Sequence, residues 1–151
     1  MLFRSASRQG LAQQRIFTDE GVDLSRVVIG HCGDTTDLEY LEELAAAGSW
    51  LSMDRFGLDF LLPFDERVRT VAAMCERGHA GRMVLSQDAC CFIDWLPQEL
   101  RAAALPNWHY LHLLEDVVPA LQRLGVTDEQ VHTMLVDNPR RIFERQGPSS
   151  G

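Results

Sequence analysis

The sequence predicts an α/β fold built from parallel βα units. Three observations predict it. Short apolar runs reach polar residues at three places, Val27–Ile29, Ser49–Met53 and Arg82–Leu85. Stretches with apolar residues at helical spacing alternate with them, which is the pattern of crossover helices between parallel strands. No Gly-rich phosphate loop of the GxGxxG or GxxxxGK[ST] kind occurs, so a nucleotide-binding reading has no support.

The elements follow in order. Arg8–Glu20 reads as a helix with Leu11, Ile16 and Phe17 on its apolar stripe and Gly21 as its stop. Val27, Val28 and Ile29 form a continuous β-branched run, which suits a strand buried on both faces and ending at Gly30 and His31. Asp34, Thr35, Thr36 and Asp37 supply N-cap chemistry for a helix through Leu38, Leu41, Leu44 and Ala45 that stops at Gly48. Ser49–Met53 is a second strand, ending at Asp54, and FGLDFLLP is a loop. Pro63–Arg77 is a helix with Val68, Val71, Ala72 and Cys75 inward, closed by Gly78. Arg82–Leu85 is a third strand, ending at Ser86, Gln87 and Asp88.

Ala89–Asn107, with Pro97 and Pro106, reads as a long loop, and loops of that length are usually functional or disordered. Trp108–Leu124 is helical, with Pro119 kinking or splitting it. Thr127–Val136 is a last helix, with Thr127 and Gln130 as a capping box. Asn138–Pro139 is expected to break it, and RRIF finishes the chain as a short turn. Three parallel strands are too few for an open doubly wound domain. The simplest architecture is a slice of a (β/α)8 barrel, whose full length is about 250 residues.

Composition narrows the function classes. The chain has 151 residues, 46% of them apolar, enough for one domain with a sizeable core. Residues 1–146 are assigned to that domain, and 147–151, inside the small polar end QGPSSG, to a disordered tail. A net charge of -8 argues against nucleic acid, which is held by Lys and Arg on phosphates, and against an anionic membrane surface. No apolar run approaches the roughly 20 residues that span a bilayer. MLFRSASRQG lacks the apolar region of a secretory signal. Cys32, Cys75, Cys90 and Cys91 match no CxxC pattern, so free thiols in a cytoplasmic protein are expected.

In barrels of this kind the catalytic groups sit at the C-terminal ends of strands. Those positions are His31, Asp54 with Arg55, and Asp88. Imidazole and carboxylate both suit zinc or a similar divalent metal, and a carboxylate can also take a proton from water. The residues alone leave the alternative open: a His after a strand is often a hydrogen-bonded core residue, and an Asp there is often the N-cap of the next helix. His109 and His112 stand at i, i+3 on a helix, where surface or core histidines are the expectation. His79 and His132 carry no signal.

Several segments together resemble the phosphotriesterase-like lactonases, in the phosphotriesterase family of the amidohydrolase superfamily. VVIGHCGDTTDLEYLEELAAAGSWLSMDRFGLDFLLPFDER is similar to their sixth and seventh strand region, and RMVLSQDACCFIDW to the eighth strand and its loop. NWHYLHLLEDVVPALQRLGV and DNPRRIF are similar to their C-terminal helices. The resemblance runs from about Arg8 to Phe143 and implies a partial TIM barrel, about strands six to eight plus C-terminal helices. It implies a complete parent site with two divalent metal ions (zinc, or cobalt, iron or manganese) held by four His, a carboxylated Lys and one Asp, bridged by a hydroxide that attacks a lactone or organophosphate ester. On that match His31 and Asp88 are metal ligands, and Asp88 also accepts the nucleophile's proton. Arg55 lines the lactone pocket. Ala89–Asn107 is the substrate loop, with Cys90, Asp94 and Trp95 shaping the pocket and Trp95 open to dimer contacts. A neighbouring reading keeps the metal site and acts on an amide.

Two departures matter. Gln87 stands where the family usually has the His of an SHD triplet, and Gln does not titrate near neutrality. The first-strand His-x-His, the fourth-strand Lys and the fifth-strand His have no counterpart; the last would fall near Leu2 or Phe3. Two of six ligands remain, so a truncated, non-catalytic remnant or dimerising partner is the alternative expectation. A three-strand slice would leave open edges and an uncovered inner face, and self-association, in the simplest case a homodimer, is expected.

Overall fold

A computed structural model describes residues 8–94 and 96–144. Leu2, Phe3, Trp95 and the tail assigned to 147–151 lie outside the described residues. The first βα units run in order: helix α1 (Gln9–Asp19), strand β1 (Val28–Ile29), helix α2 (Leu38–Ala46), strand β2 (Trp50–Met53), helix α3 (Phe64–Glu76) and strand β3 (Met83–Leu85). The strands form one parallel sheet in the order β1-β2-β3, with Ile29 opposite Leu51 and Leu51 opposite Met83. Each parallel pair is joined by a helix, as short parallel connections require. The α/β slice read from the sequence is therefore the observed fold.

Strand alternation decides where the core lies. Ile29, Leu51, Met53, Met83 and Leu85 point to the helix side, and there they join Leu41 and Leu44 of α2 and Val71 and Met74 of α3 in one buried cluster. Val28, Ser52 and Val84 alternate to the other face and are only partly covered; Val28 is 41% exposed. The expectation that the first strand is buried on both faces is thus corrected. One face is packed by helices, and among the described residues the other is only partly covered, apart from the buried Trp50, whose ring carries the Arg82 guanidinium at 5.2 Å.

The caps follow the sequence closely. Asp37 accepts from the Tyr40 amide at 3.0 Å to start α2. Thr127 and Gln130 form the full capping box of helix α6 (Asp128–His132).

The C-terminal third differs from expectation in three ways. The segment 89–107 is not all loop: helix α4 (Gln98–Ala104) occupies its second half, started after Pro97. Pro119 does not split the helical run. The π turn Leu113–Val117 runs directly into helix α5 (Val118–Arg123), with Pro119 in the first turn of α5. Asn138–Pro139 does not break the last helix either. The π turn Thr133–Asp137 continues into helix α7 (Asn138–Phe143). A proline lacks an amide proton and its ring crowds the carbonyl four residues back; a widened turn just before it removes both conflicts. Asn138 is fully buried, and its Nδ2 donates to the Ala80 and Met83 carbonyls at 2.8 and 2.7 Å. The residue read as a breaker anchors α7 to the start of β3.

Among the described residues, no helix is long and apolar enough to cross a membrane.

Candidate functional site

His31, Arg55 and Asp88 follow the C-terminal ends of β1, β2 and β3. Among the described residues they are also the non-glycine residues with positive φ, at 59°, 62° and 54°. Left-handed backbone is uncommon outside glycine and tends to cluster where function over-determines the chain. The strands therefore bring together the three residues singled out at their ends, and hold each in the same sparsely used conformation.

His31 is oriented by Asp54. The Asp54 carboxylate is 5% exposed and accepts from the His31 amide at 3.1 Å and from the Ser52 hydroxyl at 2.9 Å. Its other oxygen lies 3.2 Å from His31 Nδ1. With Nδ1–H donated to Asp54, Nε2 keeps its lone pair, and the side chain is about half exposed. A carboxylate behind an imidazole is the usual support of a metal-binding His.

Asp34 and two arginines make the second half of the cluster. Arg55 Nη1 donates to Asp34 Oδ2 at 2.7 Å, and Arg55 Nε reaches Asp88 Oδ2 at 3.5 Å. Arg67 comes from α3, and its side chain is fully buried. Its Nη2 lies 2.7 Å from Asp34 Oδ1, although no N–H points along that line, so the contact is ionic rather than a directed hydrogen bond. The remaining donors reach the carbonyls of Gly33 at 2.7 Å, Asp54 at 3.1 Å and Leu62 at 3.2 Å. One guanidinium thus ties the loops after β1 and β2 to each other and holds Asp34 against Arg55. Gly33 permits this closeness: a Cβ there would lie 2.5 Å from the Asp54 carbonyl oxygen.

The segment 89–107 is fastened to the same loops. Gly57, at φ 95°, meets Asn107 so closely that a Cβ would lie 2.3 Å from its carbonyl oxygen. Trp108 Nε1 donates to the Gln87 carbonyl at 3.0 Å, one residue before Asp88. Asp94 lines a small cavity of about 290 Å³ with Phe92, Leu96 and Arg101. Cys90 does not line it; its carbonyl accepts from Arg101. Another hollow, about 530 Å³, lies between α3 and the α5–α6 connection and is lined by none of the strand-end residues.

Burial pushes the Cys32 thiol up to about 12, with Asp54 adding to the effect, and the Cys75 thiol to about 11. Both stay in the thiol form near neutrality.

Sequence reasoning placed Asp54 at a strand end without pairing it to His31, read Asp34 as N-cap chemistry, and gave Arg67 no role. Arg67 had a readable signal, since it falls on the inward side of α3 beside Val68, Val71 and Met74. Asp34 resembled a helix cap, and its pairing with Arg55 and Arg67 spans elements that only the fold brings together.

A model of the phosphotriesterase family matches residues 3–143. The aryldialkylphosphatase of Saccharolobus solfataricus is 40% identical over 136 residues, covering 89% of this chain and 43% of that protein. The solved structure of the phosphotriesterase from Mycobacterium tuberculosis is 73% identical and superposes with a TM-score of 0.90, over 93% of this chain and 43% of that one. A mutant PTE-like lactonase of Deinococcus radiodurans is 34% identical with a TM-score of 0.78, over 90% of this chain and 44% of the other. The chain spans less than half the length of the relatives it matches.

Proposed function

The chain belongs to the phosphotriesterase family, and from that premise we propose that its strand ends form part of a metal-dependent hydrolase site for lactones or organophosphate esters. His31 and Asp88 are the metal ligands of this reading, Asp88 is also the proton acceptor, and Arg55 lines the substrate pocket. The observation that carries it is the shared left-handed backbone of His31, Arg55 and Asp88 at three neighbouring strand ends. The relatives' names support the substrate class: one is an aryldialkylphosphatase and another a PTE-like lactonase.

The residues fit a divalent ion. His31 has its Nδ1 committed to Asp54 and its Nε2 free, and Asp88 is an exposed carboxylate; nitrogen and oxygen donors suit zinc, cobalt, iron or manganese. When bound, such ions polarise a carbonyl or phosphoryl oxygen and acidify water. The chain's own part is positional. Asp54 fixes the His31 ring, and Arg55 spans Asp34 and Asp88 so that the Asp88 carboxylate stays aimed. On this reading Asp94, which lines a cavity with Phe92 and Arg101, shapes the substrate pocket together with Trp95, while Cys90 contributes its carbonyl to Arg101 and does not line that cavity. Four free cysteines agree with a reducing, cytoplasmic setting.

The alternative is a non-catalytic chain that associates with a homologue. On that reading the strand ends, which offer His31 and Asp88, hold no ion by themselves, since catalytic zinc usually keeps three protein ligands. Elemental analysis after dialysis against trace zinc separates the two. Retained metal that His31→Ala or Asp88→Asn abolishes, together with lactone hydrolysis, supports the enzyme. A chain that holds no metal at these residues is not catalytic by this route.

A further inference from the structure

A second group of metal-type donors stands apart from the strand ends. His109, His112 and Asp116 lie on the turn and π turn that lead into α5, and one ligand atom from each lies within 4.8 Å of the others. We infer that these three residues form a separate binding site for a divalent transition metal of the zinc class.

The three side chains divide the work of a site. His112 is 2% exposed, and its ring packs against Phe64 at 5.5 Å between centroids. It is a rigid anchor. His109 and Asp116 are exposed, so they can move onto an ion and leave it open to solvent. His112 Nδ1 stands 2.8 Å from Asp116 Oδ2, a hydrogen-bond spacing that must open by roughly half an ångström to admit a tetrahedral ion with bonds of about 2.0–2.2 Å. His112 Nε2 is buried without a partner, and Nδ1 is the nitrogen that faces the exposed Asp116 carboxylate. The His109 ring approaches His112 at 5.7 Å, edge to face, which leaves a side-chain rotation of an ångström or two to close the set.

Two nitrogens and one oxygen select zinc, cobalt or nickel over calcium or magnesium, which prefer all-oxygen sets. Water completes the coordination. Binding displaces protons from imidazole and weakens as the solution is acidified. An ion here would also stiffen the turn that begins at Trp108, the residue whose indole holds the Gln87 carbonyl beside Asp88. The ordinary alternative is a simple i, i+4 contact between His112 and Asp116, with no ion.

The test is zinc titration of the metal-stripped 151-residue chain by calorimetry, with cobalt absorption as a second readout of coordination. His109→Ala and Asp116→Asn change exposed side chains, and circular dichroism checks that each variant keeps the fold. A His31→Ala/Asp88→Asn variant removes the strand-end donors. The expected result is one equivalent that survives in the strand-end variant and weakens at least about tenfold in each of the other two, since even supporting residues of metal sites cost that much. Absence of zinc binding to the parent chain overturns the inference. So does binding that is indifferent to both His109→Ala and Asp116→Asn. Binding lost only in the strand-end variant also overturns it, while leaving the hydrolase reading intact.

Discussion

Replacing Arg67 with methionine should be the most destabilising single change in the strand-end cluster. The Arg67 side chain is fully buried, and its ionic partner Asp34 is only 9% exposed. Methionine fills much of the same space, so the loss is electrostatic and not a cavity. Removing one partner of a buried ion pair costs about 3–5 kcal/mol, because the other charge stays desolvated. Here Arg55, 2.7 Å from the second Asp34 oxygen, offsets part of that. The carbonyls of Gly33, Asp54 and Leu62 lose donors at the same time. A net loss of about 3 kcal/mol is expected, a large share of the roughly 5–15 kcal/mol that holds a domain together. With a urea dependence of about 1–3 kcal/mol per molar, the midpoint should fall by roughly 1.5 M. Urea unfolding at matched protein concentration measures it. Arg67→Met/Asp34→Asn should recover part of the loss, because the stranded charge is gone. A single variant within about 0.5 kcal/mol of the parent would refute the argument that this guanidinium ties the two loops together.

Other perturbations test other parts of the structure. Gly57→Ala should destabilise by more than about 2 kcal/mol and expose 89–107 to protease, because φ 95° and a Cβ 2.3 Å from the Asn107 oxygen both forbid a side chain; unchanged cleavage kinetics would contradict it. A thiol reagent at pH 8 should modify Cys90 and Cys91 in the folded chain and reach Cys32 and Cys75 only on unfolding. With Cys32 raised to about 12 and Cys75 to about 11, above the ordinary 9.0, the folded state keeps both protonated. Their contribution to stability is complete below about pH 9 and is lost as pH rises through 11 to 12, which an alkaline unfolding curve should show. The chain should self-associate through its partly covered sheet face and the exposed Phe60, Phe92, Tyr110 and Leu114; sedimentation that reports a monomer at all concentrations would count against this.

The order of strands and helices was legible in the sequence because its signals are local. The β-branched run before His31, the Asp37 cap and the Thr127–Gln130 box each act within a few residues. The later helices were harder to read for the same reason. Pro119 and Asn138–Pro139 are local stop signals, yet π turns ahead of each proline absorb the missing hydrogen bond, and two long-range bonds from Asn138 supply an anchor that no local rule contains. Helix α4 was hidden between two prolines that also frame a loop.

By itself, then, the sequence determined the parallel βα architecture and the identity of the residues at the strand ends, His31, Arg55 and Asp88, since periodicity and strand termination are properties of short stretches. Only the tertiary structure decided which charges meet. His31 finds Asp54 23 residues away, Arg55 finds Asp34 across 21, and Arg67 reaches Gly33 across 34. Those partners are chosen by the parallel register of β1 and β2 and by the packing of α3 beneath them, and an electrostatic pair formed through the fold leaves no period in the chain that encodes it.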